Sequence, residues 1–187
     1  VTTPLAAALN TLDGFSTTAV ITAPFNAPVN AATLVPFNPL SLPGGNESVY
    51  VVDVTHNTPL VPGVHYSVRL SSAAGGGQSL VEIVPLKPLQ PRTRYAFIMT
   101  NKIRSATGVA ASADTIVGAV RDAHLAGLSS VPGVPALTPL FPAIAPLITL
   151  ATNVLGIPGN SVIVAWTMQT QSINDVLKVI EQTAVPR

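Results

Sequence analysis

Few side chains in this sequence are equipped for chemistry. There are three histidines, no cysteine, and four serines that follow a glycine at a distance of two, none of them with a second glycine two residues on. A serine hydrolase of the α/β type requires Gly-x-Ser-x-Gly, because both glycines permit the strained turn that exposes the hydroxyl. Gly127-Leu-Ser-Ser-Val131 and Gly159-Asn-Ser-Val-Ile163 each lack the second glycine, and no His-Gly-Gly-Gly oxyanion loop occurs. Each histidine has a simpler placement than general base. His65 falls on the polar side of an alternating run, which solvates it. His56 opens the turn-like string His56-Asn-Thr-Pro59. His124 falls late in a predicted helix, where a partly charged imidazole suits the C-terminal dipole. Asp122 and His124 are two apart and point to different helix faces, so they do not form a ligand pair.

The other chemistries fare no better. Without cysteine there is no disulfide, thiolate site or thiol nucleophile, and no spacing of His, Asp and Glu suits a metal. Paired carboxylates on one face, as a glycosidase needs, are missing. Gly75-Gly76-Gly77 is followed by no Lys-Ser or Lys-Thr, so it is not a phosphate loop. Asn46-Glu47-Ser48 fits the glycosylation acceptor pattern, a match that arises readily by chance. The sequence therefore offers no catalytic, cofactor-binding or metal-binding residue.

The elements that would position these side chains are mostly strands. Thr17 to Thr22 is a β-branched run closed by Pro24, and residues 27–45 read as a Pro/Asn-rich connection. Ser48 to Val54 is apolar on both pleat faces, the mark of a central strand covered on both sides. Val64, Tyr66, Val68 and Leu70 alternate against His65, Ser67 and Arg69, and the three glycines then turn the chain into Leu80–Val84 as a hairpin. Arg94–Thr100 places Tyr95, Phe97 and Met99 on one face. From Ser112, a predicted N-cap, the texture becomes helical, with Ile116, Val120 and Ala123 as its stripe. Val162, Val164, Trp166 and Met168 share a face of a last strand, and Ser172-Ile-Asn-Asp175 opens a closing helix. The reading is mainly β: an immunoglobulin-like sandwich over 1–187, with a helical insertion at about 112–157, a C-terminal helix, and a linker beginning at about 184–187.

Charge narrows the partners. The 187 residues carry a net charge of +1, and only 9% are charged. None of these lies between Asp13 and Glu47 or between Asp122 and Asp175. Lys and Arg do not cluster, which excludes nucleic acid as a partner. The composition is that of an exported chain, and Val1-Thr-Thr-Pro4 carries neither the basic nor the apolar part of an export signal. The uncharged stretch Val134–Ile157 is long enough to span a bilayer. Pro135, Pro139, Pro142 and Pro146 favour instead a broken helical excursion packed on a sheet of a soluble chain. Were Leu137, Leu140, Phe141, Ile144, Leu147 and Ile148 exposed, they would form an apolar patch suited to a lipid surface.

Three strings carry a family likeness. Leu9-Asn-Thr-Leu-Asp-Gly-Phe-Ser-Thr-Thr18, followed by Ile21-Thr-Ala-Pro-Phe25, resembles the opening of the N-terminal domain of bacterial virulence-factor lipases. Val84-Pro-Leu-Lys-Pro-Leu-Gln-Pro-Arg-Thr-Arg-Tyr95, leading to Thr100-Asn-Lys-Ile-Arg104, is similar to a hairpin of that domain that also occurs widely in bacterial Ig-like modules. Val164-Ala-Trp-Thr-Met-Gln-Thr-Gln-Ser-Ile173 resembles its final strand. The resemblance implies an extracellular or outer-membrane-displayed lipase or phospholipase whose Ser-Asp-His triad lies on a hydrolase domain after Arg187. That domain would be the partner of this one. No catalytic residue carries over. The competing expectation is an adhesin or surface-layer Ig-like module without enzyme activity.

Overall fold

A computed structural model describes residues 13–42, 44–71 and 78–172. Among the described residues it is mainly β, with two antiparallel sheets and two α-helices. One sheet runs β1–β5–β4, from β1 (Ile21–Phe25), β5 (Ser79–Pro85) and β4 (Tyr66–Leu70). The other runs β3–β2–β6–β7, from β3 (Thr58–Pro59), β2 (Val49–Asp53), β6 (Arg94–Thr100) and β7 (Val162–Gln169). Between β6 and β7 the chain makes α1 (Thr115–Leu125), a 3-10 turn over Pro135–Leu140, and α2 (Phe141–Asn153). This is the expected sandwich with a helical insertion before the last strand.

The doubly apolar strand explains the layering. Val49 and Val51 face the other sheet with Tyr95, Phe97 and Met99, and meet Tyr66, Val81 and Ile83 across the gap. Tyr50 and Val52 face outward with Ala96 and Ile98, where Leu147, Ile148 and Ala151 of α2 cover them. The result is a sheet–sheet–helix stack, in which the central strands β2 and β6 need apolar residues at every position.

Several expectations are corrected locally. The first strand begins at Ile21 rather than Thr17 and includes Pro24, which an edge strand tolerates because its outer side needs no N–H. Val64 lies before β4 and is exposed. Val162 does not share a face with Val164, Trp166 and Met168. A bulge opposite Met99 and Thr100 puts an extra residue, Ile163, in β7, so Val162 joins the helix-covered cluster. The α1 N-cap is Asp114, not Ser112; its carboxylate accepts the Ile116 N–H at 2.9 Å and also complements the helix dipole. Ile116 is exposed, while Val120 and Ala123 are buried.

The prolines do not break α2. Pro142 lies in its first turn, where the N–H has no intrahelical partner, and Pro146 sits on an exposed side where water can satisfy the freed carbonyl. The helical run Pro135–Asn153 is long and apolar enough to cross a membrane by length and composition. Phe141, Leu147 and Ile148 are nevertheless buried in protein, Leu137 and Ile144 are half-buried, and only Leu140 is exposed. Those six side chains therefore do not make an exposed patch, because the sheet and α1 already cover that face. The Gly75–Gly77 turn and the closing helix beyond Ser172 lie outside the described residues.

Candidate functional site

Each histidine is held by a local contact. His56 sits 2.7 Å from the buried Asp53 carboxylate through Nδ1, and Asp53 also accepts the His56 N–H, which closes the turn after β2. His65 accepts the Val61 N–H at Nδ1, bracing the tight loop before β4. His124, in the last turn of α1, reaches Thr149 Oγ1 of α2 at 2.9 Å and meets Phe141 edge-on. The three lie on different elements, and the Thr58 hydroxyl beside the His56–Asp53 pair is engaged with the His56 carbonyl at 3.1 Å.

The Gly-x-Ser strings at Gly127 and Gly159 also have structural duties. Gly127, at φ +77°, ends α1 in a Schellman motif. Leu128 N–H donates to Ala123 O, and Gly127 N–H to His124 O. Gly159–Ser161 is a 3-10 turn leading into β7, with the Ser161 hydroxyl donating to Pro158 O. Ser48 of the glycosylation-like string is buried, its hydroxyl accepting from Val35 N–H and donating to Thr33 O. Asp122 pairs with Arg121, whose guanidinium also binds Val162 O at 2.8 Å and ties α1 to the start of β7. Among the described residues, no group of three His, Asp or Glu side chains could hold a metal.

Two features were not evident in the sequence. The first is a clasp between the ends of the described chain. Phe15 N–H donates to Gln169 O, and Gln171 N–H donates to Phe15 O, a parallel bridge beside the end of β7. Asp13 accepts the Ser172 N–H at 2.8 Å, and hydrogen bonds from the Ser172 hydroxyl and from this N–H draw its carboxyl below the usual range. Buried Thr170 stitches the neighbouring loop: its hydroxyl accepts the Thr93 N–H and donates to Gln90 O. At Gly14 a methyl group would lie 2.6 Å from the Thr170 carbonyl carbon, so only glycine fits. Asp-Gly-Phe, the centre of the family-like opening string, is thus a structural device.

The second is a groove of about 1020 Å3 at the open side of the sandwich, between β1 and β7 and under the loop 104–114. Ala23, Phe25, Val29, Ile163, Val164 and Trp166 wall it. Trp166 stacks on Phe97 at 5.2 Å and presents its remaining surface to the groove. A cavity this large and largely apolar is the size of a ligand site.

Comparison with known proteins adds little. No family model matches the chain, and no curated protein matches it. Among solved structures it is similar to the N-terminal part of the bacterial S-layer protein SbsC. The identity is 17%, with a TM-score of 0.35 over 53% of this chain and 20% of that one. The chain thus spans a fifth of that protein's length, and at this score the likeness carries no functional argument.

Proposed function

We propose that this chain is the non-catalytic, immunoglobulin-like N-terminal accessory domain of a secreted or surface-displayed bacterial lipase or phospholipase. It supports and orients a hydrolase domain that follows it. The carrying observation is the opening string Leu-Asp-Gly-Phe, whose Asp13 and Gly14 are demanded by the clasp that joins them to Thr170–Ser172. A string fixed by such long-range geometry is a more discriminating family marker than a generic strand pattern. The engagement of all three histidines in local structural contacts is in keeping with this role.

The test is to read the coding DNA beyond Arg187 and assay the encoded protein on emulsified esters. A Gly-x-Ser-x-Gly elbow followed by Asp and His, with activity that falls when residues 1–187 are deleted, would support the proposal. A stop codon, or further Ig-like repeats, would overturn it in favour of an adhesive or surface-layer module.

A further inference from the structure

We propose that the turn over residues 38–42 is a lipid-contacting tip, which sets Leu40 and Leu42 into the surface of a zwitterionic phospholipid bilayer. Single apolar side chains at a protein surface are ordinary, and most keep part of themselves against the fold. Leu40 is 78% exposed and Leu42 is 93% exposed, the two highest values among the exposed large apolar residues of the described chain. One residue separates them on the same turn. Their apolar surface is therefore gathered at one projecting point.

The turn is constructed to enter an apolar medium. Asn38 Oδ1 accepts the Leu40 N–H at 3.0 Å, and the Asn38 carbonyl accepts the Ser41 N–H at 3.2 Å and the Ser41 hydroxyl at 3.3 Å. These donors are met inside the turn, as they must be where lipid supplies no partner. No charged residue occurs from Gly14 to Asn46, and the carboxylate of Glu47 is drawn back onto the Gly44 N–H. The base of the turn is fixed as well. Phe37 stacks on Tyr50 at 5.1 Å, and its N–H donates to Val49 O.

The surroundings favour lipid over a protein partner. The turn leaves the fold at Phe37, which packs with Tyr50 in the cluster that α2 covers on the outer face of the second sheet. That side is uncharged too, since no charged residue occurs between Asp122 and Asp175. The run Pro135–Asn153 is apolar enough for a membrane span, yet only 28% of its most apolar stretch is buried. Its largest side chains cover the sheet, while Leu140, Pro142, Ala143 and Pro146 stay exposed. Protein interfaces are anchored by Tyr, Trp and Arg inside a polar rim. None of these three types is found in the turn 38–42 or in α2. A bilayer is the partner for which charge is the costly group, and this surface has none to desolvate. With Glu47 at its base, it suits zwitterionic headgroups better than anionic ones. This inference does not depend on the accessory-domain reading, and either can fail alone.

Flotation of the chain with phosphatidylcholine vesicles tests it. The expected result is co-flotation that persists from low to high salt, because no cluster of basic residues takes part. Leu40→Ser combined with Leu42→Ser should lower the partition coefficient by about tenfold or more. Both side chains are exposed, so this double variant should keep the parent's far-ultraviolet spectrum. In a separate Leu42→Trp variant, emission should shift to the blue on vesicles and be quenched by lipid brominated in its chains. The parent, whose single tryptophan is Trp166, is the control. A chain that stays unbound, binding that requires anionic lipid or is abolished by salt, or a folded double variant that floats like the parent overturns the inference. Should the double variant not fold, the quenching decides. Bound Leu42→Trp chain with no quenching beyond the parent's overturns the inference equally.

Discussion

Replacing Gly14 by alanine tests the clasp most directly. The added methyl would stand 2.6 Å from Thr170 C, 2.7 Å from Gln169 O and 2.7 Å from Gln171 N, all of them backbone. Gly14 has no positive φ, so alanine suffers no torsional penalty and the effect is purely steric. If the strands part, the two Phe15 hydrogen bonds are lost, costing about 2 kcal/mol. If they stay together, compression costs about 1–3 kcal/mol. Either route is offset by up to about 1 kcal/mol from the reduced freedom of the unfolded chain. A net loss of about 2 kcal/mol corresponds to a Tm lowered by about 4–8 °C for a chain of this size. Gly118, in α1, supplies the control. Its added methyl would meet Ala113 Cβ at 3.5 Å and Arg121 Nη2 at 4.0 Å, ordinary contacts, so Gly118→Ala should stabilise by about 0.8 kcal/mol through helix propensity. Urea unfolding of both variants, followed by Trp166 fluorescence, makes the comparison. Equal effects, or a Gly14 variant within about 0.5 kcal/mol of the parent, would refute the steric reasoning.

Other substitutions probe the buried polar groups. Thr170→Val strands the Thr93 N–H in the interior and should cost about 1–3 kcal/mol by the same unfolding assay. Tyr66 is 1% exposed and its hydroxyl has no hydrogen-bond partner, so Tyr66→Phe should match or exceed the parent's stability by up to about 1 kcal/mol. Burial pushes the Tyr66 phenol up, and burial next to Glu47 pushes that of Tyr50 up to about 12. Unfolded tyrosine ionises near pH 10, so stability should be full below that and fall as pH rises toward 12. Alkaline unfolding curves should flatten in Tyr66→Phe; an unchanged slope would assign the effect elsewhere.

Much of the fold was legible because burial writes itself locally. The two-sided apolarity of Ser48–Val54 predicted both covered faces of the second sheet, and Tyr95, Phe97 and Met99 predicted its inner face. The errors have physical causes. Val162 was misplaced because one bulge reverses the parity of every residue before it, and a bulge leaves no pattern in a run of β-branched residues. Ser112 and Asp114 are both good N-caps, and only packing decides between them. Burial of Leu147 and Ile148 was favoured over an exposed patch, and the structure buries both. The clasp and the groove were invisible for a different reason. Asp13 meets Ser172, and Phe25 faces Trp166 across the open side, through contacts that no window of sequence contains.

Those contacts also order events in time. During synthesis β6 has to wait through the whole helical insertion before its partner β7 exists. In the interval, the outer face of β6 is best shielded by α2, which arrives first and has its own apolar stripe of Leu147, Ile148 and Ala151. The insertion can thus serve as an internal chaperone for a sheet missing its edge. The parallel bridge at Phe15 cannot form before Gln169–Gln171 have been made.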